Sequence, residues 1–274
     1  MGILSSCSNT VDTNINNLES VDDSKIDKGT TDNKSKIKDN PVNEDFIIDV
    51  NYSEMEASYG VLQDAKKLTK TASVVVIGKV TDISFQVLDI TTALPPTEKT
   101  EDRNRWLHTI YDVDVITSYK GKKTDNIKIR VNGGIKDYRV NEQLDLIKEM
   151  KAWPNDAILL QEKMPEIELR ETYLFTLYES EFGGGPTNLH PRQTVYDINN
   201  PFEKQTLGRE LKGEASDYYS QNTDEQGDPI ISAKDVISAF GEDKWNTFWA
   251  DWQKDNPNWE TRLDKSAVEK ALAN

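Results

Sequence analysis

The chain has 274 residues, 36% of them hydrophobic and 30% charged, with a formal charge of −15. That length accommodates one or two domains, and the polar balance implies that part of the chain contributes nothing to a core. The acidity excludes a nucleic-acid partner, because such binding draws on Lys and Arg at phosphates, and it excludes adhesion to anionic lipid through a basic patch. It serves solubility or a cationic partner.

Cys7 is the single cysteine, so no intrachain disulfide forms. No apolar run reaches the length of a membrane span. Leu4-Ser5-Ser6-Cys7 resembles a bacterial lipobox, where Leu and two small residues precede the cysteine that takes a diacylglycerol. The resemblance implies a lipid on Cys7, an extracytoplasmic location and anchoring to the cell membrane, durable once two or three acyl chains are present. The basic and apolar segments that precede a lipobox are absent ahead of it, and a start upstream of Met1 would explain that. Two other readings stay open. Met1-Gly2-Ile3-Leu4-Ser5-Ser6 fits an N-myristoylation pattern with Cys7 as a palmitoylation site, which implies the cytoplasmic face. The match is otherwise accidental.

Residues 8–45 are Ser, Thr, Asn, Asp and Lys with isolated aliphatics. No period holds, so a disordered tether is expected, with a mean span of roughly 35 Å as a flexible coil. Order is expected from Phe46. Residues 53–70 predict a helix, with Ser53 as N-cap and Glu56 completing a capping box. Met55, Tyr59, Leu62, Ala65 and Leu68 supply its apolar face.

Strands follow at 73–88, 106–119 and 126–131, the last two joined as a hairpin through Tyr119-Lys120-Gly121-Lys122. A helix is expected at 141–151, then strands at 156–161, 171–179 and 194–198. Gly183-Gly184-Gly185-Pro186 breaks the chain between the last two. A five-stranded core with a helix between its third and fourth strands is the order of an OB-fold barrel. The expected class is therefore mainly β, an OB-like barrel over 46–200 with flanking helices.

The stretch Val74–Val80, the strand ending Tyr119-Lys120-Gly121 and the late Glu171-Thr172-Tyr173-Leu174-Phe175 are similar to the OB-fold of tissue inhibitors of metalloproteinases and netrin-like modules. The likeness spans 68–200. Its inhibitory chemistry does not carry over. That family chelates the protease zinc through a free N-terminal cysteine, whereas Cys7 lies far upstream in an acylation motif.

Residues 201–230 are polar and read as a linker or long loop. A helical segment over 231–274 follows, with helices at 232–240 and 244–254 and a capping-box-like start at Ser232 and Asp235. Trp245, Phe248, Trp249 and Trp252 lie on one helical face. That stripe either packs onto the barrel, burying roughly 150–250 Å² per ring, or serves as a docking surface.

No catalytic set emerges. His108 and His190 lack partners at metal-ligand spacing and read as ordinary surface or loop residues. There is no Gly-x-Ser-x-Gly elbow, Walker loop or dinucleotide fingerprint. Asn222–Asp228 begins like a calcium loop, but its twelfth position is Ala233 and the assignment fails. No cofactor or metal is implied. What remains is a binding face, since OB-folds bind ligands on their second and third strands. Its outward residues are Asp112, Asp114, Lys128 and Arg130, with Trp106 and Tyr138 at the rims. The expected function is a membrane-tethered binding or scaffold module for a protein, peptide or glycan. The alternatives are a cell-envelope hydrolase with a noncanonical carboxylate site, and an accessory subunit docking through the aromatic helix.

Overall fold

The computed structural model describes residues 50–55, 64–154, 156–161, 165–179, 185–188, 193–205 and 231–272. The expected tether, Cys7, His190, Glu56 and Asn222–Asp228 lie outside them.

β1 (Tyr52–Met55) comes first and α1 (Ala65–Thr71) second. The helix expected from Ser53 is thus corrected. Ser53 sits in a strand, and α1 starts after Asp64, whose carboxylate accepts from Lys66 N at 2.7 Å. Tertiary contacts override helix propensity here. Tyr52 packs against the Phe85 and Ile158 cluster, and its hydroxyl donates to Asp137 at 3.0 Å.

The long strands β2 (Val74–Asp89) and β3 (Arg105–Lys120) follow, then β4 (Asn126–Asn132) and the helix α2 (Val140–Met150). β5 (Ile158–Gln161), β6 (Thr172–Glu179), β7 (Pro186–Asn188) and β8 (Val195–Asp197) come next. β9 (Lys204–Gln205) pairs with β10 (Ile231–Ser232). Four helices close the chain: α3 (Ala233–Ser238), α4 (Glu242–Asp255), α5 (Trp259–Arg262) and α6 (Lys265–Leu272).

Sheet pairing centres on β2. One edge runs antiparallel to β3 along its length, and the first half of the other edge pairs antiparallel with β6. β3 and β4 form the expected hairpin. β4 meets β7 in parallel at Arg130 and Thr187, and β7 pairs antiparallel with β6. Hydrogen bonding therefore passes from β2 through β3, β4, β7 and β6 and returns to β2, with β8 added outside β6. The result is a mixed six-stranded sheet. Gly78 is needed where β2 shifts register between its neighbours. A Cβ there would lie 2.4 Å from Val113 Cγ1 and 2.9 Å from Asp114 O.

Two expectations shift. The strand expected at 156–161 forms as β5, but it pairs in parallel with β1 in a separate two-stranded sheet. Pro186, read as part of a breaker, opens the short strand β7 that links β4 to β6. A proline is tolerated as the first residue of a strand because it needs to donate nothing there.

Odd residues of β3 and β4 point inward. Tyr111, Val113, Ile129 and Val131 pack with Val76, Val80, Phe175 and Leu177. A second cluster joins Phe85, Val87 and Leu107 to Ile147 of α2. Gln143 of α2 is fully buried. Its Nε2 donates to Ile135 O at 2.9 Å and to Tyr138 O, and its Oε1 accepts from Ile135 N at 3.1 Å. The side chain thus satisfies backbone groups of the loop before α2, which no ladder reaches.

A third cluster joins α1 and the outward side of β2 and β6 to the C-terminal helices. Leu68, Val75, Ile77, Leu174 and Tyr196 pack against Val236, Ile237, Trp245 and Trp249. The C-terminal segment therefore packs on the sheet and shares its core. Its start is the expected capping box, with Ser232 and Asp235 satisfying each other's backbone N–H.

Candidate ligand face

Along the outward side of β3, the even residues Trp106, His108, Ile110, Asp112 and Asp114 alternate with the buried interior set. β4 sets Lys128 opposite Asp112 and Arg130 opposite Ile110. The hairpin register thus brings four of the expected residues onto one side of the sheet, with Trp106 at one end of the same row.

Asp112 and Lys128 form a cross-strand ion pair, Nζ to Oδ1 at 2.6 Å. Asp114 is exposed, opposite Asn126. Trp106 is half-buried and stacks on Trp153 with ring centroids 5.6 Å apart. Its Nε1 donates to Arg103 O at 2.9 Å.

Tyr138 does not join this surface. Its ring is partly buried against both interior clusters and lies 6.2 Å from Phe85. It follows the chain inward at the start of α2, where apolar neighbours take up the ring.

Arg130 and His108 depart most from expectation. Arg130, expected to be an exposed cation, is only 6% exposed, and His108, expected to be an ordinary residue, is wholly buried. The two touch, with Arg130 Nη1 3.5 Å from His108 Nε2. His108 Nδ1 lies 2.9 Å from Trp106 O. A carbonyl only accepts, so Nδ1 carries the proton and Nε2 presents a lone pair to the guanidinium. Burial pushes the imidazole down to about 4, with the positive charge of Arg130 the next cause. Burial also lowers the Arg130 guanidinium from its ordinary value. At neutral pH the pair is one cation and one neutral acceptor.

The aromatic stripe of α4 turns inward. Trp245, Trp249 and Trp252 are buried and Phe248 is partly buried. Trp249 stacks on Trp245 and Trp252 at 5.8 and 5.1 Å, and Phe202 and Trp259 meet it edge-on. Trp252 Nε1 donates to Ile198 O at 2.7 Å. These rings are occupied within the molecule and are not a face offered to a partner.

Among the described residues, no group of His, Cys, Asp and Glu is placed to hold a metal ion, and no helix is long and apolar enough to cross a membrane. An open groove between α1, α3 and α4 holds the carboxylates of Asp64, Asp235 and Glu242. Asp64 caps α1 and Asp235 completes the capping box of α3. Two of the three are thus committed to backbone N–H groups.

No family model matches the chain, and no curated protein matches it significantly.

Proposed function

We propose that the chain is a lipid-tethered, extracytoplasmic binding module, with the lipid on Cys7 and the ligand met by the outer face of β3 and β4. The observation that carries the binding half is the cyclic pairing β2–β3–β4–β7–β6, with α2 inserted after β4. Pairing of first strand to second, second to third, third in parallel to fifth, fifth to fourth and fourth back to first supports an OB-like reading, and OB-folds meet ligands on their second and third strands. The tether half rests on Leu4-Ser5-Ser6-Cys7 and the polar stretch after it. The ligand class is a protein, peptide or glycan.

Metabolic labelling with a palmitate analogue tests the tether. The chain is expected to take label and sediment with membranes. Cys7→Ser is expected to lose the label and move to the soluble fraction. Label retained by Cys7→Ser would overturn lipidation at the thiol. Label from a myristate analogue at Gly2 would place the chain on the cytoplasmic face.

A further inference from the structure

Arg130 carries a charge out of water without a counter-charge among the described residues. Its Nε is buried with no hydrogen-bond partner, and among the described residues the imidazole of His108 is the side chain its guanidinium bonds. Asp112, two residues along β3 from the partner of Arg130 in the ladder, is held by Lys128 at 2.6 Å. His108 is neutral and faces the guanidinium with a lone pair, so it orients Arg130 without cancelling its charge. An uncompensated buried charge is strongly destabilising, and even paired buried charges are often replaced by apolar side chains with no loss of stability. A cation kept at such a cost is a mark of a group reserved for something that binds.

We propose that Arg130, oriented by His108, is a binding site for a single carboxylate group on the outer face of β3 and β4. This rests on the reading of that face as the ligand surface. The planar fork of a guanidinium matches the two oxygens of a carboxylate with parallel N–H···O bonds. Charge decides between anions. One carboxylate neutralises one guanidinium, whereas a phosphate dianion would leave a net negative charge in a buried place. The overall charge of −15 further disfavours polyanions. Beyond His108 on the same row, the stacked rings of Trp106 and Trp153 offer an apolar surface to the rest of the ligand.

The test uses the full chain and acetate as the probe, with chloride holding ionic strength constant. The chain has two histidines, so the His108 ring proton is readily followed by NMR. Acetate is expected to shift it saturably. Arg130→Met is expected to abolish that shift, and Arg130→Lys, which keeps the charge and loses the fork, to weaken it by about tenfold. In chloride alone, Arg130→Met is expected to melt at or above the wild-type temperature, while acetate raises the midpoint of the wild type only. An absent or non-saturating shift, a shift that survives in Arg130→Met, or tighter binding of phosphate would overturn the carboxylate site. So would a lower melting temperature or loss of folding in Arg130→Met, which would make the arginine a structural cation. Palmitate labelling of Cys7 is independent of these outcomes. A labelled chain indifferent to acetate keeps the tether and loses the site, and an unlabelled chain that binds acetate does the reverse.

Discussion

His108 couples the fold to pH. Folded, its imidazole titrates at about 4, against 6.5 for the free group. Between those values the unfolded chain holds a proton that the folded chain refuses. Stability from this residue is therefore complete above pH 6.5 and is lost as pH falls towards 4, by about 3 kcal/mol over the window. Urea unfolding at a series of pH values checks this. The fall in stability between pH 7 and pH 4 is expected to shrink by about 3 kcal/mol in His108→Gln, and parallel curves for the two proteins would refute it. The sequence shows why the residue escapes notice. Alternation along Trp106–Tyr119 separates the two sides of the strand correctly, but it labels the second side as solvent. Ile110, beside His108 on that side, is buried too, so an apolar residue in the polar register was the available signal that the side is not uniformly solvated.

At the scale of elements, α2 and α4 are held by opposite means. α2 is anchored by the polar side chain of Gln143. Gln143→Leu would leave Ile135 N, Ile135 O and Tyr138 O without their partner, at an expected cost of about 3 kcal/mol, measurable as a drop in the urea midpoint. α4 is anchored by indoles. Trp249→Ala is expected to cost about 3–5 kcal/mol and to lower the thermal midpoint with binding and fold lost together. A stable Trp249→Ala protein would contradict the packing described for that ring. Both helices were legible from their periods, as were β2, β3, β4 and β6. The segment at Tyr52–Met55 was not, because Ser53 and Glu56 carry a capping signature and the strand exists only through its pairing with β5. The three residues of β7 were hidden for a related reason. A strand that short has no period, and its ladder partners, β4 and β6, are remote in sequence.

At the scale of the whole molecule, the sheet and the C-terminal helices share one core. The face of β2 and β6 that holds Val75, Ile77 and Leu174 is covered by Val236, Ile237, Trp245 and Trp249. Ending the chain at Gln205 would expose that face, and the truncated protein is expected to lose cooperative thermal unfolding and to bind a hydrophobic dye such as ANS. A fragment that melts cooperatively at the full-length temperature would show the sheet to be self-sufficient. The polar composition of 201–230 suggested a boundary, but composition describes a connection and not the surfaces it brings together. The stripe at Trp245, Phe248, Trp249 and Trp252 announced that a large apolar area needed a partner. Its partner was this chain's own sheet, which only the three-dimensional arrangement identifies.

The two paired edges of β2 also set an order in time. β3 follows it closely, whereas the ladder from Val76 to Phe175 joins residues about a hundred positions apart. Closing so long a loop costs entropy before any new bond compensates, so folding is expected to be slow for a chain of this size. In that interval Val74, Val75, Val76 and Ile77 form an open apolar edge, the kind of strand that pairs with another copy. The strand that organises the finished molecule is thus its chief aggregation hazard while the molecule is being made.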